Sequence, residues 1–339
     1  MLWAEHVARN TAGERDDVFA EVRKHFDEAE LVELTGVCGL FAQSNRFQDS
    51  LRLTVEAQHD IDKIRQSVKI DPDRLKAYVE GLIETWPNRF PAPPDIRPQR
   101  KPRWESPAAP LHTKTRPHSR VRLIDPQTAT GDAAWLLDSA HQLLEGTPNF
   151  VRLWSHATHL GKLILPLHVA LSYQGAGSML AGRLKAVATV RTSHVNAASY
   201  SLAHREALGR ASGLTQEQLG ALGSAEGATS SCFTRRERAA IVWAEHVALN
   251  TAKYHDDVFN ELEAHFDNSE VVELTALCAF SNNMDRIQNA LRLPLEAQPD
   301  IDTMYRSDHI EPSSLRKYLQ AVVESWPRQI PVPRASDQE

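Results

Sequence analysis

The sequence predicts an all-α protein, a complete helical domain preceded by a duplicated half-domain, and three observations carry that prediction. Apolar residues recur at three- and four-residue spacing, as in Val271, Leu274, Leu277, Cys278, Ile287 and Leu291, or Val258, Phe259, Leu262 and Phe266, or Leu137, His141 and Leu144. No run alternates polar and apolar residues as a half-buried strand does. The chain also repeats itself: residues 2–93 match residues 242–333 at a constant offset of 240, without a gap and with about half the positions identical. Trp3-Ala4-Glu5-His6-Val7-Ala8 returns as Trp243-Ala244-Glu245-His246-Val247-Ala248, and Val32-Glu33-Leu34-Thr35 as Val272-Glu273-Leu274-Thr275. Convergence does not produce such a match, so the segment is a duplication.

The first element, residues 1–93, is a half-domain equivalent to 241–333. It opens at a position matching the interior of a helix whose start is visible only in the second copy. There, Thr234-Arg235-Arg236-Glu237 reads as a capping box, with hydroxyl and carboxylate satisfying free amides of the first turn. Either the first copy has lost its beginning or its first helix starts frayed. Residues 94–117 form a linker, in which Pro94, Pro98, Pro102, Pro107, Pro110 and Pro117 exclude helix and central strand. Its Arg97, Arg100, Lys101, Arg103, Lys114 and Arg116 read as a solvated spacer or, alternatively, a contact for an acidic partner.

Residues 118–333 form the complete domain, its unique first half followed by the repeated second half. Gly146-Thr147-Pro148-Asn149, Gly175-Ala176-Gly177-Ser178, Gly223 to Gly227 and Leu293-Pro294 punctuate it into roughly seven to nine helices. Gly175-Ala176-Gly177 follows no strand and lacks the later Gly or Lys of a phosphate loop, so it is a helix connector.

Composition excludes several classes. A net charge of -6 argues against general nucleic-acid affinity. The three cysteines, Cys38, Cys232 and Cys278, form neither a disulfide framework nor a zinc site, which makes a cytoplasmic location the expectation. The longest apolar stretch, near Leu163 to Leu171, is interrupted by Pro166 and His168 and is too short to span a membrane. His168, alone on an apolar face, reads as a hydrogen-bonded core histidine. The adjacent Glu5-His6 and Glu245-His246 pairs point about 100° apart on a helix and do not converge on a metal. No metal or cofactor is expected.

Within the unique half, Arg183-Leu184-Lys185-Ala186-Val187-Ala188-Thr189-Val190 leads into Asn196-Ala197-Ala198-Ser199-Tyr200-Ser201-Leu202-Ala203-His204, then Gly213-Leu214-Thr215 and the Thr234 capping box. Pro148-Asn149-Phe150 and Val272-Glu273-Leu274-Thr275 frame this series. The order resembles the carboxymuconolactone decarboxylase and AhpD-like family over about residues 120–297. The resemblance implies an all-helical fold and homo-oligomers. The family's peroxidases use Cys-x-x-Cys at a helix start, a His a few residues on and a Glu about twelve residues before, the helix end lowering the thiol pKa. Here Ala198 and Ser201 stand at the two cysteine positions and Ala186 at the Glu position, so thiol peroxidase chemistry is excluded. A cysteine-free branch with a Tyr-Glu-Trp-x-His-like string is matched only at Tyr200 and His204.

Asn196 reads as a helix N-cap that would set Tyr200 and His204 four apart on one face. The candidate catalytic residues are His204 as base, Tyr200 as hydrogen-bond donor and Ser201 as a neighbouring hydroxyl. Thr192, His194 and Asn196 are the candidate substrate-pocket residues. The expected activity is lyase- or isomerase-type acid–base chemistry on a small lactone or carbonyl compound. The alternative is a catalytically degenerate oligomeric or ligand-binding subunit. A homo-oligomer with a small-molecule ligand, and no nucleic-acid or membrane partner, completes the expectation.

Overall fold

The computed structural model describes residues 1–66, 71–90, 119–224 and 227–326. The Pro-rich linker expected over 94–117 lies outside the described residues. Among those described there is no strand, only an isolated bridge between Gln174 and His309. The fold is all-α.

The first copy holds α1 (Leu2–Ala8), α2 (Asp16–Val22), α3 (Glu28–Ser50), α4 (Gln58–Gln66) and α5 (Pro72–Glu84). The unique half holds α6 (Gly131–Leu144), α7 (Asn149–Trp154), α8 (Thr158–Ser172), α9 (Gly182–Val195), α10 (Ser199–Ala211) and α11 (Gln216–Leu222). The second copy holds α12 (Arg235–Leu249), α13 (Asp256–Glu263), α14 (Asn268–Ala290), α15 (Gln298–Met304) and α16 (Pro312–Glu324). The complete unit therefore has eleven α-helices among its described residues, more than the expected seven to nine. The surplus is short: α7 has six residues and α11 and α15 seven each, fewer than two turns, too few for a period to register.

Local chemistry fixes the long helices. Thr234 and Glu237 make the expected capping box on α12. Asp27 with Glu30 and Asp267 with Glu270 cap α3 and α14 in the same way, each pair satisfying two orphan amides. Both copies also pack their first helix identically. Trp3 Nε1 donates to Thr35 Oγ1 at 3.1 Å, and Trp243 Nε1 to Thr275 Oγ1 at 3.0 Å.

The first copy has no separate core. Trp3, Val7, Leu31 and Val32 are buried in one apolar cluster with Leu153, Trp154, Phe280 and Ile287. It docks chiefly through α3 against α14, and the contacts are reciprocal. Arg46 Nε donates to the Ala248 carbonyl at 3.2 Å, and its counterpart Arg286 Nε donates to the Ala8 carbonyl at 3.2 Å. Arg52 reaches the Lys253 carbonyl and Asp256, as Arg292 reaches the Gly13 carbonyl and Asp16. Asn283 Nδ2 donates to its own counterpart, Gln43, at 2.9 Å. Such exchange is the signature of a two-fold interface, here between two parts of one chain. Gly39 permits the approach, since a Cβ there would collide with Asn283 and Ile287.

One face of α3 is bare. Val37, Leu40 and Phe41 are 48%, 51% and 65% exposed, whereas their counterparts Leu277, Phe280 and Ser281 are 0%, 3% and 3% exposed. In the second copy α9 and α10 pack on α14 at that place. The first copy brings no equivalents of α9 and α10.

Candidate functional site

The site forms where α9 turns into α10. Asn196 does not cap α10 as the sequence suggested; it ends α9, and α10 starts after Ala198 without a side-chain cap. The reason lies in the backbone. Ala197 takes a left-handed φ of 49°, its N–H bonds the His194 carbonyl at 3.1 Å, and the Ala198 N–H bonds the Ser193 carbonyl at 3.0 Å. That is a Schellman termination, which satisfies the last carbonyls of α9. Asn196 is left to hold buried partners, donating through Nδ2 to Asp285 at 2.9 Å and accepting at its carbonyl from Asn10 Nδ2 at 2.7 Å.

The sharp turn aims Tyr200 and His204 inward on one face, their ring centroids 4.5 Å apart. A carboxylate meets them from the turn between α14 and α15. Glu296 Oε2 lies 2.8 Å from His204 Nε2, and the Tyr200 hydroxyl donates to Glu296 Oε1 at 2.7 Å while accepting from the Phe150 N–H at 3.2 Å. The Asn149 N–H also donates to Glu296 Oε1. On the other edge of the imidazole, His204 Nδ1 lies 3.0 Å from the Tyr305 hydroxyl. An ionised carboxylate can only accept, so the Nε2 proton of His204 faces Glu296, while at Nδ1 the neutral ring accepts from the Tyr305 hydroxyl and the charged ring donates to it.

Electrostatics follow from this packing. Burial opposes ionisation of Glu296, but the charge of His204 and the hydrogen bonds from His204, Asn149 and Tyr200 outweigh it and hold the carboxyl below its usual range. Burial, reinforced for Tyr200 by Glu296 and for Tyr305 by Tyr173 and Glu296, raises both phenols well above their ordinary value, so both remain donors. A cavity of about 40 Å³ borders His204, Tyr305, Ser201, Lys185, Thr189 and His168. It has room for a few water-sized groups. Burial pushes Lys185 down to about 8, although its ammonium still donates to the Tyr173 carbonyl at 2.9 Å.

His168 differs from the expected hydrogen-bonded core histidine. Its ring packs on Phe150 at 5.0 Å, but its Nδ1 is sealed with no hydrogen-bond partner among the described residues. The ring lies between Phe150 and Phe280, with ring centroids at 5.0 and 6.1 Å.

The other candidates separate. Ser201 Oγ donates to Gln288 Oε1 and makes no bond to His204. Thr192 Oγ1 bonds back to the Ala188 carbonyl at 2.9 Å; Thr189, nearly one turn earlier, borders the cavity instead. His194 and Asn196 line a different feature, an open cleft of about 830 Å³ between the two copies. Tyr200 and Gln288 border both spaces. Sequence reasoning placed His204 and Tyr200 together but missed Glu296 and Tyr305. The repeat held a usable signal for the second: Tyr305 stands where the first copy has Arg65, while Glu296 recurs as Glu56. His204 belongs to the unique half, so a residue serving it need not be kept in the other copy.

The cysteines lie elsewhere. Cys278 is fully buried, and burial raises its thiol to about 12. Burial raises Cys38 as well. His6 and His246 each bond a threonine, Thr11 and Thr251, at 2.8 Å through Nδ1.

No protein-family model and no curated protein matches this sequence. Among solved structures, the chain is similar to an uncharacterized peroxidase-related protein from Silicibacter sp. TM1040, with 16% identity and a TM-score of 0.47 over 55% of this chain and 95% of that one. It is also similar to the debrominase Bmp8, with 17% identity and a TM-score of 0.39 over 58% of this chain and 96% of that one.

Proposed function

We propose that the protein is an acid–base catalyst for a small lactone or carbonyl compound, working without a thiol. The observation that carries this reading is the Glu296–His204–Tyr305 chain, with distances of 2.8 and 3.0 Å, ending at a cavity. Glu296 orients the imidazole and stabilises its protonated form, the task of the third member of a catalytic triad. Tyr305, held as a phenol, donates a hydrogen bond to a carbonyl oxygen. A proton leaving the neighbouring carbon is taken by His204 Nδ1 once the substrate oxygen has drawn the Tyr305 hydroxyl away. Ser201, committed to Gln288, is a wall rather than a nucleophile. The resemblance of residues 120–297 to the carboxymuconolactone decarboxylase and AhpD-like family supports a lyase or isomerase of this kind.

The test is hydrogen exchange on the substrate. In deuterated buffer, small lactones and ketones incubated with the chain should exchange hydrogens next to the carbonyl, read by NMR. His204→Gln and Glu296→Gln should each slow exchange by about 100-fold or more. Equal exchange with and without protein across the panel sinks the catalytic reading. The second reading, a non-catalytic ligand-binding subunit, is favoured by the cavity's volume of about 40 Å³, smaller than a lactone. Thermal-shift responses to lactones without any exchange would select it.

The bare stripe of Val37, Leu40 and Phe41 supports self-association, with α3 of a second copy as its cover. Phe41→Ser installs the residue type of its counterpart Ser281. It should shift the chain toward monomer in light scattering; an unchanged mass overturns this assignment.

A further inference from the structure

The cleft of about 830 Å³ between the two copies is far larger than the cavity at His204, and two arginines from equivalent positions border it. Arg46 and Arg286 are 9% and 4% exposed. Each spends Nε on the carbonyl near the end of the other copy's first helix, at 3.2 Å, and Nη1 on carbonyls of its own helix at 3.1 and 3.2 Å. Arg286 Nη1 also faces Asn196 Oδ1 and Asn282 Oδ1. In both arginines Nη2 has no hydrogen-bond partner among the described residues, and neither atom is fully sealed from solvent. No carboxylate lies in ion-pair range of either guanidinium among the described residues.

The charge balance leaves something over. The ends of α1 and α12 offset about half a charge each. Arg9 and Arg292, also at the cleft, are already paired with Glu5 at 3.0 Å and Asp16 at 2.7 Å. Glu14 is the opposing carboxylate on the lining. Two desolvated cations still border one cleft. Burial lowers Arg286 to about 9, with Arg46 adding to the depression and Asp285 opposing it, and lowers Arg46 to about 10 against the opposing charge of Asp49; those two carboxylates are themselves paired with Arg205 and Lys253. Both stay charged at neutral pH. A buried cation is costly unless paired, and a guanidinium edge is shaped for a carboxylate or phosphate oxygen.

We propose that this cleft binds a small oxyanion carrying two negative charges, held between Arg46 of the first copy and Arg286 of the second. The site requires both copies, which gives the duplicated half-domain a binding role apart from the chemistry at His204. Phosphate and a short dicarboxylate share the needed chemistry, and titration tells them apart.

The experiment is calorimetric titration of the full chain with inorganic phosphate, malonate and acetate at matched ionic strength. Saturable one-to-one binding of phosphate or malonate is expected, with acetate weaker by about tenfold. Arg46→Gln and Arg286→Gln should each weaken the bound dianion by about tenfold or more, while Arg23→Gln, outside the cleft, changes it little. Should a glutamine variant lose its helical circular dichroism, Arg46→Lys and Arg286→Lys replace it. Lysine keeps the charge, loses the fork, and should still weaken binding. The unmodified chain decides by itself: no saturable binding of either dianion overturns the proposal. So does binding of undiminished strength in the folded variants of both positions.

Discussion

His168 and Glu296 both lose their contribution to stability as pH falls, over different windows. Burial, helped by Arg205 and His204, lowers His168 to about 3, so the folded chain keeps it neutral. The unfolded chain protonates it below about 6.5. Its contribution is therefore intact above that value and falls as pH drops toward 3, by up to about 1.4 kcal/mol per unit. Urea unfolding at pH 7 and pH 5 should differ by about 2 kcal/mol more in the native chain than in His168→Phe. An identical difference in both would show that the ring is not held neutral. Glu296, whose carboxyl is held low, adds stability that is present above the ordinary carboxylate range and is lost as pH falls through its folded value. The two windows overlap only in acid, which lets the variants separate them. At Ala197, φ is 49°, where a Cβ costs about 1 kcal/mol. Ala197→Gly should stabilise by up to about 1 kcal/mol in denaturant melts, the freer unfolded glycine offsetting part of the gain. The elevated thiols of Cys38 and Cys278 predict no peroxide reduction with a lipoyl-type donor. Turnover abolished by blocking any one cysteine would contradict this.

At the scale of elements, the legible parts were those that local chemistry dictates. The capping box at Thr234 was readable because hydroxyl and carboxylate are three residues apart, and Thr234→Ala should cost about 1 kcal/mol in thermal unfolding. The long apolar periods of α3 and α14 were readable for a similar reason. The turn between α9 and α10 was not. Asn favours both ends of a helix, and the choice depended on Ala197 accepting a left-handed backbone, which side-chain propensity disfavours. The site was half legible on the same grounds. Tyr200 and His204 share one helix, so spacing places them together. Glu296 and Tyr305 arrive from 92 and 101 residues away, a distance that the packing of α14 and α15 on α10 closes.

For the whole molecule, the first copy completes a core it does not own. Trp3, Val7 and Leu31 share a cluster with Trp154 and Ile287, and burial of each large apolar side chain contributes about 1.5–3 kcal/mol. Removing residues 1–95 should uncover the α14 face around Asn283 and Ile287. The remaining chain should fold yet pair through that face, which sizing chromatography would read as a dimer. A soluble monomer of undiminished thermal stability would make the half-domain an appendage.

The reciprocal α3–α14 contact also changes what a single substitution does. In a dimer of identical chains, every replacement near the axis lands on both sides at once, and mass action lets dilution pull the halves apart. Here the two sides are separate stretches of one gene product. Dilution cannot part them, and each can drift without the other. The drift is visible. Asp49 holds Lys253 in an ion pair at 2.6 Å, while its counterpart Asn289 donates a neutral hydrogen bond to Asn10 at 3.1 Å. An acidic replacement tolerated beside a lysine on one side never had to be tolerated beside Gly13 on the other.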